Sequence, residues 1–138
     1  MEKSKLIIVE KDFIDQIIVF AEENGGEVIF DESHDLKTLL ITIGITSNYK
    51  GFLYINDAVL YIIENNEAKT DEIYEKLAIK YHVSKSSVER NIRYAIDNSE
   101  FKGNEHMKKR IFDNVYDIYN NKITNAKYLF ALANYLAY

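Results

Sequence analysis

Not one proline occurs in the 138 residues, and only five glycines do, so the chain has few places where a helix is forced to stop. Helix ends must then be read from Gly, Asn and capping residues. Read that way, most of the chain is helical. A helix over 33–42 stops at Gly44. The next, over 51–64, is apolar on nearly every side (Phe52, Leu53, Ile55, Ala58, Val59, Leu60, Ile62, Ile63), the pattern of a central buried helix. Two shorter helices meet at His82-Val83, and two more occupy about 105–119 and 125–136. Residues 5–31 break the rule. An apolar β-branched run at 6–9 is followed by helical spacing over 11–24 (Phe13, Ile17, Phe20, Ala21), a stop at Gly25-Gly26 and a second strand-like run at 28–30, which together read as β-α-β.

Composition bounds the partners. With 47% hydrophobic residues the length suits one compact domain and leaves no room for a second full one. Cysteine is absent, which excludes disulfides and thiolate metal sites and points to a reducing, cytoplasmic location. Residues 1–20 carry acidic side chains within their apolar run and no small-residue cleavage pattern, unlike a signal peptide. No apolar stretch approaches the roughly 20 residues of a membrane span. The net charge of −5 argues at first sight against nucleic acid, but it is unevenly placed: residues 1–34 hold three lysines against nine Asp or Glu, for −6, and the remainder sums to +1. Between 85 and 110, Lys85, Arg90, Arg93, Lys102, Lys108, Lys109 and Arg110 outnumber Glu89, Asp97, Glu100 and Glu105.

The most informative stretch is TDEIYEKLAIKYHVSKSSVERNIRYAID, residues 70–97. Thr70 or Asp71 is expected to cap its first helix and Ser84 or Ser86 its second. Ile73, Leu77 and Ala78 form one inner face. Val88, Ile92, Ala95 and Ile96, at i, i+4, i+7 and i+8, form the other. The opposite face of the second helix, about 84–98, carries Ser86, Glu89, Arg90 and Arg93, the side-chain types that read base edges and phosphates in a major groove. The pattern is that of a DNA-binding helix-turn-helix. A competing assignment exists for Glu89, since Ser86-Ser87-Val88-Glu89 also fits a capping box that would turn the carboxylate back to the helix end. Arg90 and Arg93 also fit a merely solvated face.

The chain resembles the C-terminal effector domain of stage-zero sporulation protein A, the response regulator of endospore formation. The resemblance rests on Gly44, Lys50-Gly51-Phe52, LAIKY at 77–81, SSVERNIRYAI at 86–96, Gly103-Asn104 and KITN at 122–125, and it covers roughly residues 36–138. It implies a mainly α, six-helix domain over 35–138 that binds a short box in double-stranded DNA through the helix-turn-helix and regulates transcription. On matching positions it implies that Glu89 and Arg90 read bases, that Arg93 holds the DNA backbone, and that Lys85, Ser86, Ser87 and Tyr94 lie along the backbone or at the helix N-terminus. Lys108, Lys109, Arg110 and Lys122 are expected as further phosphate contacts, against the alternative of a solvated basic run. The sequence departs from the family at Ser87, commonly Arg, at Tyr94, commonly His, and at Ile123, commonly Pro. Loss of an Arg would weaken binding and reduce the magnitude of its salt slope by about one.

Residues 1–34 lie outside the resemblance. KLIIVEKD at 5–12 and EVIF at 27–30 look like the opening of a receiver domain, with Glu10 and Asp12 as its acidic pair, but no phosphoacceptor strand follows. A two-stranded unit has exposed edges and is marginal alone, so residues 1–34 are expected to pair in a homodimer, or else to dock on the effector domain. A non-enzymatic rival reading is an antagonist that binds the full-length sporulation regulator. His82 is expected in a turn, and His34 and His106 lack the spacing of a metal site. No phosphate loop, nucleophile elbow or acid-base pair suggests an enzyme, and no cofactor is expected. The tyrosines, Tyr54, Tyr61, Tyr74, Tyr116, Tyr128 and Tyr135 among them, recur at helical spacings and are expected to pack.

Overall fold

The computed structural model describes residues 32–113 and 122–137, together with Glu23 and Gly25. These residues form α1 (Glu32–Thr42), α2 (Lys50–Glu64), α3 (Thr70–Tyr81), α4 (Lys85–Asn98), α5 (Glu105–Phe112) and α6 (Asn125–Ala137). Residues 32–113 and 122–137 hold six helices and no strand, the mainly α architecture expected of the effector part. The β-α-β unit expected at the N-terminus lies almost wholly outside them. So do residues 114–121, over which the fifth helix was expected to continue; its described part ends at Phe112.

α2 is the centre of the fold and packs against α1, α3, α4 and α6. Phe52, Tyr54, Ile55, Ala58, Val59 and Ile62 are buried there, and their apolar surface is the main source of stability, at about 1.5–3 kcal/mol for each large side chain fully removed from water. Burial is not uniform round the helix, because Leu53 and Ile63 reach solvent. Gly51, in the first turn of α2, decides how near α4 comes. A Cβ built there would lie 2.4 Å from the carbonyl oxygen of Asn91 and 2.7 Å from the Cβ of Ala95, so only glycine permits this crossing.

A second close approach joins two loops. Gly44 ends α1 at φ +97 and Gly103 precedes α5 at φ +82, values that disfavour any side chain. At Gly103 a Cβ would meet the Ile43 carbonyl carbon at 2.4 Å, and the Asn104 N–H donates to the Thr42 carbonyl at 2.8 Å. The end of α1 is thereby fastened to the α4–α5 connection. Asn104 also caps α5, its side chain accepting from the Met107 N–H at 2.9 Å. No helix among the described residues is long and apolar enough to cross a membrane.

Candidate nucleic-acid interface

α3 and α4 form the helix-turn-helix. The N-cap of α3 is Lys69, in extended backbone and without a side-chain cap bond. This corrects the expectation that Thr70 or Asp71 would cap it: Thr70 is already helical, and Asp71 sits in the first turn, where carboxylates meet the positive end of the helix dipole. α3 ends at His82, left-handed at φ 56 and ψ 46, whose N–H bonds back to the Ala78 and Ile79 carbonyls. His82 is therefore the turn residue its position suggested. Two residues later Ser84 caps α4, its hydroxyl accepting from the Ser87 N–H at 3.1 Å. With the cap at Ser84, Ser87 occupies the third helical position and Glu89 the fifth, so the capping-box assignment of Glu89 does not apply.

The inner faces meet as their spacing requires. Ile73, Leu77 and Ala78 on α3, and Val88, Ile92, Ala95 and Ile96 on α4, are buried. Their burial fixes which side of α4 faces outward. Ser86, Glu89, Arg90 and Arg93 line one open cleft of about 590 Å³ with Thr70 and Tyr74 of α3 and with Thr124, Asn125 and Ala126 at the start of α6.

Within this face most polar side chains already have partners. Lys85 donates to Asp71 at 2.9 Å, and this hydrogen bond raises the lysine's pKa above its ordinary value. The hydroxyls of Ser84 and Ser86 lie 3.1 Å apart. Asn91 donates to the Ser87 carbonyl at 2.8 Å. Tyr94 is 55% exposed and meets the ring of Tyr49 edge-on, with centroids 5.3 Å apart. Glu89 and Arg90 differ: both are exposed, and neither side chain has a hydrogen bond or ion pair with a described residue.

Arg93 was expected on the DNA backbone; in the structure its guanidinium already has partners inside the protein. Nε donates to Asp97 at 3.0 Å, Nη2 lies 2.9 Å from the same carboxylate oxygen, and Nη1 donates to the Ile123 carbonyl at 2.7 Å. Beside it, the Asn125 amide donates to the Tyr74 hydroxyl at 3.2 Å and to the Glu89 carbonyl at 3.1 Å. Burial pushes the Tyr74 phenol above its ordinary pKa, with the Glu89 charge adding, while the Asn125 hydrogen bond and the Arg93 charge oppose. Tyr74, read as a packing tyrosine, and Asn125, read as part of KITN, were not expected in the site. Tyr74 shares the packing pattern of the other tyrosines, and Asn125 reads locally as part of a helix start; their meeting across 51 residues has no local signature.

The basic run of α5 divides. Lys108 is only 7% exposed, and its ammonium donates to the carbonyls of Ser99 at 2.6 Å and Glu100 at 3.0 Å, with Glu105 at 3.4 Å. It satisfies the carbonyls at the C-terminus of α4, where a cation also meets the negative end of the helix dipole. Lys108, expected as a phosphate contact, thus has its ammonium engaged within the protein. Lys109, Arg110 and Lys122 are exposed, and Lys109 and Lys122 border a second cleft, of about 510 Å³, at the C-terminal end of α4. Among the described residues no three His, Cys, Asp or Glu gather as a metal site.

Residues 36–136 match the family model described as sporulation initiation factor Spo0A C terminal. The match spans all of α2 to α5, α1 from residue 36 onward, all but the last residue of α6, and the whole cleft face of α4. With that match and a helix-turn-helix whose outer face is polar and open, the chain belongs to the Spo0A C-terminal family of DNA-binding sporulation regulators.

Proposed function

We propose that this protein is a sequence-specific transcription regulator that sets α4 in the major groove of duplex DNA and reads base edges with Glu89 and Arg90. One observation carries the reading. On the outer face of α4, Lys85, Ser86, Ser87 and Arg93 are engaged within the protein, whereas Glu89 and Arg90 stand adjacent, exposed and without a partner among the described residues. An Arg donates bidentately to guanine O6 and N7, and a Glu accepts from cytosine N4, so this pair suits neighbouring G·C steps. Lys85, Ser86 and Ser87 at the start of α4, and Tyr94 beyond it, flank the pair and meet the DNA backbone. Lys109, Arg110 and Lys122 supply further phosphate contacts. The protein acts in the cytosol on sporulation or a related programme, and residues 1–34 pair it with a second copy, as doubled half-sites require.

Fluorescence anisotropy tests the reading, with a duplex carrying the Spo0A-family box and a scrambled control, each at two salt concentrations. The box is expected to bind more tightly, and Arg90→Ala to cost about 1–3 kcal/mol and relax the preference. Preferential binding untouched by Arg90→Ala would move the reading surface elsewhere. No binding of either duplex at low salt would end the proposal.

A further inference from the structure

The recognition helix is held from outside the helix-turn-helix by a short segment ahead of α6. Two side chains make the connection. Arg93 spans from Asp97, on its own helix, to the carbonyl of Ile123 at 2.7 Å. Asn125 spans from the Tyr74 hydroxyl on α3 to the Glu89 carbonyl on α4. Asn125 and the Ile123 side chain are buried, so the segment that receives Arg93 is anchored in the core. The Arg93 side chain is 34% exposed, and three of its N–H donors are already directed at Asp97 and Ile123. An arginine so engaged is poorly placed to serve as a mobile phosphate ligand, but well placed to fix the roll of α4 about its axis. That roll sets the direction in which Glu89, bonded through its own carbonyl, and the adjacent Arg90 leave the helix.

We propose that Arg93 and Asn125 act as positioning residues, latching α4 to residues 123–125 so that Glu89 and Arg90 meet their bases in one orientation, and that Arg93 is not a phosphate contact. This rests on the DNA-reading role of Glu89 and Arg90. The latch acts on specificity, whereas a phosphate contact acts on affinity for every sequence. It also explains how Asp97, an acid on the recognition helix, is compatible with DNA: its charge is held by Arg93.

The test compares the full-length protein with Arg93→Lys, Asn125→Ala and the charge-balanced double variant Arg93→Ala/Asp97→Ala. Binding to box and scrambled duplexes is measured across a salt series, with circular dichroism to confirm folding. The latch predicts that the ratio of box to scrambled affinity falls about ten-fold in each variant, within the range of one misplaced base contact, while the salt slope of the double variant stays that of the wild type. Arg93→Lys is decisive, because a lysine keeps a phosphate contact but cannot bridge Asp97 and Ile123 in the guanidinium geometry. An unchanged ratio in Arg93→Lys would overturn the latch, as would a slope reduced by about one in the double variant with its ratio intact. Should the double variant unfold, Arg93→Lys and Asn125→Ala still decide. Wild-type protein that does not prefer the box would instead refute the parent reading, an outcome distinct from either.

Discussion

Lys108 and Lys109 are neighbours in sequence and opposites in environment. The ammonium of Lys108 lies inside, on the Ser99 and Glu100 carbonyls, and that of Lys109 reaches solvent. Removing a cation that satisfies buried carbonyls leaves them unpaired, at about 1–3 kcal/mol for each group so exposed to loss. Lys108→Ala is therefore expected to lower the stability of the protein by about 2–3 kcal/mol in urea unfolding, with the salt slope of DNA binding unchanged in the folded fraction. Lys109→Ala should do the reverse, leaving the unfolding midpoint in place and lowering the slope by about one. Equal stability of the two variants would contradict the interior role of Lys108. In the sequence both stand in one basic run; the helical period puts Lys108 on a face with Ile111 and Phe112, but what its ammonium meets there is not written locally.

At the scale of elements, the contact of α2 with α4 matters most, because it joins the central helix to the helix that carries Glu89 and Arg90. Gly51 sets it. By intrinsic propensity alone an alanine in a helix would gain about 1 kcal/mol over glycine, yet the added Cβ would fall 2.4 Å from the backbone oxygen of Asn91. Backbone cannot swing aside as a side-chain tip does, so overpacking outweighs propensity. Gly51→Ala is expected to destabilise the protein by about 1–3 kcal/mol in chemical unfolding and to weaken recognition of the box through displacement of α4. A stabilised Gly51→Ala protein would show that the helices can separate at no cost.

Over the whole molecule, charge and stability are distributed unevenly. The first 34 residues hold the acidic excess and the rest is nearly neutral, so net charge does not draw the protein to DNA and the proposed interface on α4 rests on local charge. A prediction for stability at high pH comes from the contact of α3 with α2. There Tyr81 donates a hydrogen bond to Asp57 while Lys80 holds the same carboxylate at 2.8 Å, joining α3 to α2. Burial, followed by the hydrogen bond to Asp57, pushes the Tyr81 phenol up to about 12 from its ordinary 10.0. The folded state therefore binds this proton more tightly than the unfolded chain does. Its contribution is complete below pH 10 and is lost as pH rises toward 12. Melting temperatures measured from pH 9 to 12 should accordingly fall more steeply for the wild type than for Tyr81→Phe, which keeps the ring against Tyr54 and removes the ionising group. Parallel curves would assign the alkaline loss to other groups.

The six helices of the effector part, the inner faces of α3 and α4, a serine cap at Ser84 or Ser86 and the outward direction of Arg90 could be determined from the sequence by itself. Each depends on residues within a few turns of one another, where the helical period and backbone capping act. Tertiary structure alone decided which charged side chains are spent inside the protein. Arg93 has only Asp97, one turn on, until Ile123 is brought beside it, and Lys108 has only the face it shares with Ile111 and Phe112 until the end of α4 meets it. Likewise Asn125 acquires its role only when α6 packs beside α3 and α4. A side chain's local spacing tells which way it leaves its helix; what it meets there is set by segments far along the chain, whose placement follows from burying the common core rather than from any local preference.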